Sequence, residues 1–405
     1  MGASSVVRSL RAVIVLGLVS AALVAAGAGR ASAAPCQSWG GQPPNVGSGD
    51  NQLEGVAATS ACNALAVGYD YNGTANQTLI LRWSDTAWKV QRSSDPAGST
   101  NDNELSGVAA TSSHNAWAVG YYYNGTADQT LIEHWNGKAW KVQPSPNPGG
   151  SANNNAFSGV AAVSSKKAWA VGYYGKGTTL RTLVEHWNGR KWTVQSSPSP
   201  GHSCNSRLAA TALRGRSIGL SSVAATSPSN AWAVGIRCGT KATQTLIERW
   251  NGRAWKVQQS PNPGGSGNTS ALSGVAATSS TSAWAVGNYF KNRNAAGETL
   301  VERWNGKAWR VQPSPNADPS RDENSLSGVA ATSSTNAWAV GSYGSLVADP
   351  PLVEQWNGKV WKIQPSSNFP DGALFGVAAI SSSDAWGVGD YSNGTNDQNL
   401  ILHCC

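Results

Sequence analysis

A phrase close to Leu-Ser-Gly-Val-Ala-Ala-Thr-Ser-Ser recurs seven times along this 405-residue chain, starting at Leu53, Leu105, Phe157, Leu220, Leu272, Leu326 and Leu374. Successive starts are 52, 52, 63, 52, 54 and 48 residues apart. Self-similarity at such a period restricts the fold to a solenoid, a propeller or an array. Local chemistry then selects among them. Each unit holds four short runs rich in Val, Ile, Thr and Trp, separated by Gly, Asn, Ser and Pro, which is the pattern of strands and tight turns. In the second unit the runs are 105–111, 116–122, 130–135 and 139–143. Four antiparallel strands per unit make one blade, so the expected fold is all-β, a seven-bladed β-propeller of four-stranded antiparallel blades. Only 13% of residues are charged, while Gly numbers 45 and Trp 19, which suits strands and turns and leaves little room for helix.

The second run of each unit explains why such blades must stack. Side chains alternate along a strand, so Trp117 and Val119 point to one face and Ala116, Ala118 and Gly120 to the other. One face is bulky and its opposite is shallow. Trp169, Trp232, Trp284, Trp338 and Trp386 recur at the same place, with Leu65 substituting in the first unit. Each indole is expected to press into the alanine face of a neighbouring blade, because a lone blade has nothing to cover it.

The last unit ends at Cys404-Cys405, where the others continue through Trp-Asn-Gly into a fourth strand. The stretch Trp39-Gly40-Gly41-Gln42, followed by Pro43 and Pro44, matches that missing strand. The last blade is therefore expected to be closed by an N-terminal strand. That alignment makes neighbours of Cys36, Cys404 and Cys405, and a bridge from Cys36 to Cys405 or Cys404 would tie the chain ends together. Cys204, in the one long insertion, and Cys238, between the second and third strands of the fourth unit, make a second candidate bridge. Cys62 then pairs with the remaining terminal cysteine or stays reduced.

Residues 1–33 have the three zones of a secretory leader: Arg8 and Arg11, an apolar run from Ala12 to Ala26, and the Ala31-Ser32-Ala33 cleavage pattern. An extracellular protein whose single propeller domain spans residues 34–405 is expected. No later apolar run approaches the roughly 18 residues needed to cross a bilayer, so no membrane insertion is expected after cleavage. Loss of Arg8, Arg11 and Arg30 lowers the net charge from +8 to +5, which, spread over seven repeats, does not argue for nucleic acid.

Candidate chemistry is sparse. Glu133, Glu185, Glu248, Glu302 and Glu354 share one strand position; five symmetry-related carboxylates read as solvated charge, paired with arginines such as Arg249 and Arg303. Gly215-Arg216-Ser217-Ile218-Gly219 fits a nucleophile elbow by letters, but a strand rather than a helix follows it. Asp70 to Gly73 and Asp390 to Asp397 read as turns rather than calcium loops. No catalytic set, metal site or cofactor is expected.

The most suggestive feature is the placing of tyrosine. All ten follow the Ala-Trp-Ala-Val-Gly strand: Tyr69, Tyr71, Tyr121, Tyr122, Tyr123, Tyr173, Tyr174, Tyr289, Tyr343 and Tyr391, with Phe290 beside Tyr289. That strand end opens on the face of the central funnel, where aromatics among Asn-Gly-Thr turns could stack on a sugar ring or on a protein partner. The expected function is a non-enzymatic binding or scaffold propeller, a monomer whose ligand is a glycan or an extracellular protein. A carbohydrate-active enzyme working through the same funnel, hydrolase or lyase, is one alternative; a passive structural module is the other.

The succession of Gly-Val-Ala-Ala-Thr, Ala-Trp-Ala-Val-Gly, Thr-Leu-Ile-Glu-x-Trp-Asn-Gly and Ala-Trp-Lys-Val-Gln resembles blades of secreted bacterial propellers of the Asp-box kind and of photosystem-assembly propellers. More loosely it is similar to kelch and galactose-oxidase-like propellers. In the Asp-box pattern Ser-x-Asp-x-Gly-x-x-Trp lies between the third and fourth strands. Here Trp135-Asn136-Gly137-Lys138-Ala139-Trp140 keeps the glycine and the last tryptophan, with asparagine where aspartate is expected; the first unit alone, with Ser84-Asp85, has the acid. Asn-Gly makes an efficient hairpin turn, so the element reads as structural.

Overall fold

A computed structural model of the chain describes residues 46–47, 49–84, 86–177, 179–201, 219–292, 295–319, 323–344, 349–366 and 369–404. The leader, Cys36, the Trp39 strand, Cys204, Ser217 and Cys405 lie outside the described residues.

The described residues form seven antiparallel sheets, which are the seven blades, covering residues 51–91, 103–142, 154–194, 219–258, 270–311, 323–363 and 372–404. Six have four strands in sequence order, and the seventh has three among the described residues. Each recurring phrase is the innermost strand, and its first apolar residue, from Leu53 to Leu374, is at most 1% exposed.

The glycine of that phrase brings the innermost strands together around the axis. A Cβ on Gly55 would stand 3.1 Å from the Gly107 Cα, and one on Gly107 would stand 3.1 Å from the Gly159 Cα. The same approach links Gly159 to Ser222, Gly274 to Gly328 and Gly328 to Gly376. A Cβ on Gly376 would then stand 3.1 Å from the Gly55 Cα. The ring thus closes from the seventh blade onto the first. At the rim, the Asp397 N–H donates to the Asp50 carboxylate at 3.0 Å across the same seam.

Between blades the expected wedge is present. Trp117, fully buried, lies with Val119 and Ile132 against Ala168, Ala170, Leu183 and Trp192 of the next blade. It meets Trp192 edge-on at 5.1 Å and is covered on its own sheet by His134, stacked at 4.1 Å. In other blades the histidine position holds arginine: Arg249 lies 4.6 Å from the Trp232 ring and 5.4 Å from Trp304 of the following blade. Burying an aromatic of this size contributes about 2 to 3 kcal/mol. At the closing seam Trp386 meets Trp83 and Trp88, each at 5.2 Å.

The Trp-Asn-Gly turn is structural, with a division of labour. Gly137 takes the left-handed conformation, φ 91°, while the Asn136 carboxamide accepts from the N–H groups of Lys138 and Ala139 at 3.0 and 3.1 Å. The strand-end indole of Trp135 donates to the Ser113 carbonyl in the turn between the first two strands, at 3.0 Å. Both turns therefore lie on one face of the disc. Loops between second and third strands emerge on the other, where the funnel opens.

The five repeat glutamates contradict the sequence reading. Glu133, Glu185, Glu248, Glu302 and Glu354 are 0% exposed and pair with no arginine among the described residues. Strand alternation puts them on the shallow face, against the preceding blade. There the hydroxyls of Ser145, Ser197, Ser260 and Ser314 donate to Glu185, Glu248, Glu302 and Glu354 at 2.7–3.2 Å, and the Ser94 N–H donates to Glu133 at 3.1 Å. A buried carboxyl is tolerated because the serine meets it and because burial favours its protonated form: Glu133 is pushed up to about 7 and Glu185, Glu248, Glu302 and Glu354 to about 8. Leu81 and Leu402 take this position in the first and seventh blades.

Candidate functional site

The funnel mouth is formed by the tops of the innermost strands and the ends of the second strands. Position after position, the residue following the last glycine of Ala-Trp-Ala-Val-Gly lies on the same face of its strand. These residues are Tyr69, Tyr121, Tyr173, Ile236, Asn288, Ser342 and Asp390. Asn288, Ser342 and Asp390 line a cavity of about 490 Å³, together with Phe290, Phe375 and Ser325. Glu323, Asp349, Asp371 and Asp397 complete its acidic wall, and no lysine or arginine lines it among the described residues.

Tyrosines divide between two environments. Tyr122, Tyr174, Tyr289, Tyr343 and Tyr391 point to the shallow face and pack partly buried into the clusters between blades. Tyr69 and Tyr121 share the position of the cavity-lining Asn288, but their hydroxyls are engaged. Tyr69 donates to the Gln52 carboxamide at 2.6 Å, and Tyr121 donates to Glu104. Burial first, then the neighbouring carboxylates, drive both phenols far above their ordinary value. Tyr173 and Tyr123 are half-buried, and Tyr71, 38% exposed, is the most open of the set. Phe290 is in the cavity wall. The structure thus brings Phe290 to the cavity and holds five tyrosines in the blade interfaces.

Carboxylates, not aromatics, dominate the mouth. Asp390 is pushed up to about 7, by burial and then by the charges of Asp397 and Glu54, with a further contribution from Asp371. Glu104 is also raised, by burial, although Asn76 donates to it at 2.6 Å. Sequence reasoning passed over this wall because its members come from different blades and different loops. A signal was available: Asp390 stands where the other blades carry Tyr, Ile, Asn or Ser, and residues that break a repeat mark the one place where equal blades differ. The loops at Asn72, Asn124 and Asn393 are turns as expected, each asparagine side chain accepting two backbone N–H groups at 2.9 to 3.0 Å.

Cys238 and Cys404 are each in a disulfide bond, and Cys62 is exposed in the turn between the first two strands. The Cys238 N–H donates to the Gly201 carbonyl at 3.2 Å. No group of three or more His, Cys, Asp or Glu residues suited to a metal ion occurs among the described residues.

No family model matches the chain, and no curated protein matches it. Among solved structures it is similar to YCF48 bound to D1 peptide, at 11% identity and a TM-score of 0.51, over 91% of this chain and 97% of that one. The likeness is one of fold. A xyloglucanase from Xanthomonas campestris, of family GH74, superposes at 14% identity with a TM-score of 0.49, over 86% of this chain and 53% of that one. The β-propeller architecture rests on the blades themselves and on the first of these likenesses.

Proposed function

We propose that this is a secreted, non-enzymatic binding propeller whose partner is an extracellular protein segment bearing lysine or arginine, docked in the acidic funnel mouth. The single observation that carries the reading is the cavity of about 490 Å³ walled by Glu323, Asp349, Asp371, Asp390 and Asp397, with no lysine or arginine lining it among the described residues. Concave sites with one sign of charge attract the opposite sign and hold it in a reduced dielectric. Phe290 and Phe375 supply apolar surface for the stem of a long cationic side chain. YCF48, a propeller of similar fold, is bound to a peptide, which favours a polypeptide over a glycan. The tyrosines favour it too, because five rings pack between blades and the hydroxyls of Tyr69 and Tyr121 are engaged, which leaves a poor platform for a sugar.

Export rests on the leader at residues 1–33 and suits a disulfide-bearing chain. The pairing of Cys238 with Cys204 is supported by Gly201, three residues before Cys204, lying against Cys238. Cys404 then pairs within the terminal group, with Cys36 the partner that ties the chain ends.

The test is titration of the mature protein with peptides of equal length that are lysine-rich, neutral or acidic. Binding is expected for the first alone, falling with salt and lost in Asp371→Asn/Asp397→Asn. Equal affinity for all three peptides contradicts the reading. The glycoside hydrolase or lyase reading has one observation in its favour: Asp390 is held near neutrality amid other carboxyls, as a general acid would be. Turnover of any polysaccharide that disappears in Asp390→Asn would replace the binding reading with that one.

A further inference from the structure

The face opposite the funnel carries the reverse charge. Each Trp-Asn-Gly turn there is followed by a cation in five consecutive blades: Lys138, Arg190, Arg253, Lys307 and Lys359, all exposed. The turns pack beside the turn joining the first two strands of the same blade, as Gly137 does against His114 and Gly189 against Lys166. A second set, Lys141, Lys256, Arg310 and Lys362, is exposed one residue into the outer strand. None of these cations forms an ion pair among the described residues. Asp384 is the one carboxylate among the described residues of this face, and it is held by His403 at 3.1 Å.

We propose that this face seats on a flat anionic lipid surface, leaving the funnel turned outward. The argument is geometric. Positions equivalent in a rotational repeat lie at one height on the axis and one radius from it, so the five turn cations share a plane. A planar layer of negative headgroups can meet all five together, whereas a linear polyanion must bend round an arc to do so. Basic residues near an anionic bilayer each strengthen attachment, and the attraction falls off within a Debye length, so coplanarity sets how many count. Val142, Val257 and Val311, 44 to 45% exposed beside the second set, add apolar contact at the edge of the same face. This proposal concerns the opposite face from the funnel and stands or falls separately from the docking of a peptide there.

The test is sedimentation of the mature protein with vesicles of phosphatidylcholine alone or of equal parts phosphatidylcholine and phosphatidylglycerol. Binding is expected only to the mixed vesicles and is expected to weaken as salt is raised. Each of Lys138→Glu, Arg190→Glu, Arg253→Glu, Lys307→Glu and Lys359→Glu should weaken it by about fivefold or more. Lys176→Glu and Lys241→Glu, on the funnel side, should leave it unchanged. Circular dichroism and the thermal midpoint check that each variant is folded. Absence of binding to the mixed vesicles, equal binding to neutral ones, or indifference to the five substitutions overturns the proposal. Tight binding to soluble polyphosphate without binding to vesicles overturns it in favour of a linear polyanion.

Discussion

Glu185 has both carboxyl oxygens near the Ser145 hydroxyl, at 3.2 and 3.1 Å, and no exposure to water. Burial holds it and its counterparts Glu248, Glu302 and Glu354 at about 8, against an ordinary value of 4.5. The folded chain therefore keeps protons that the unfolded chain gives up between pH 4.5 and about 8. Unfolding releases protons in that window, so stability is greatest below it and declines as pH rises through it. His186 works the other way: burial lowers it to about 4, so it contributes stability that grows as pH rises toward its ordinary 6.5. Well above pH 6.5 the histidine is neutral in both states and the raised carboxyls, the glutamates and Asp390, set the slope. The urea midpoint is accordingly expected to fall between pH 6.5 and 8.5, and to fall less in Glu185→Gln/Glu302→Gln. A midpoint that stays level over this range would show the carboxyls to be already ionised in the fold. These residues were misread from sequence for a definable reason. A glutamate in a strand looks solvated until the serine of the preceding blade is known to face it, and that serine lies about 40 residues earlier.

Within the blade, alternation and glycine do most of the specifying, and both were legible. The face assigned to Trp117 from strand period alone is the face that meets Ala168 and Ala170. Truncation of this fully buried indole leaves a cavity its sheet neighbours cannot fill, so Trp117→Ala is expected to cost about 3 to 5 kcal/mol in urea unfolding. A loss under about 1 kcal/mol would mean that the wedge is not closely packed. Gly120 makes a sharper test of register. A Cβ there would stand 2.0 Å from the Glu104 carbonyl oxygen, so Gly120→Ala should lower the thermal midpoint far more than Gly267→Ala, whose added Cβ meets nothing within 4 Å. Comparable losses at the two positions would place the innermost strand in a different register. The turn chemistry was legible as well, although asparagine serves by accepting two N–H groups. The candidate site was less so, because no single blade contains the acidic wall.

For the whole molecule, sevenfold repetition converts local sequence into global placement. Charge that looks diffuse along the chain is sorted by topology: turns that follow the third strand share one face, and loops that follow the second share the other. Asp371, Asp390 and Asp397 of the seventh blade meet Glu323 and Asp349 of the sixth around one cavity. Cations of five blades gather on the reverse side. Both arrangements depend on the seventh blade reaching the first, through Gly376 and Gly55 and through Trp386 and Trp83. Small-angle X-ray scattering of the mature protein measures that closure. A compact ring of this length should have a radius of gyration of about 21 Å. A value beyond about 28 Å, with a scattering profile of an elongated particle, would show an open superhelix and contradict the closed ring on which the funnel and both charged faces depend.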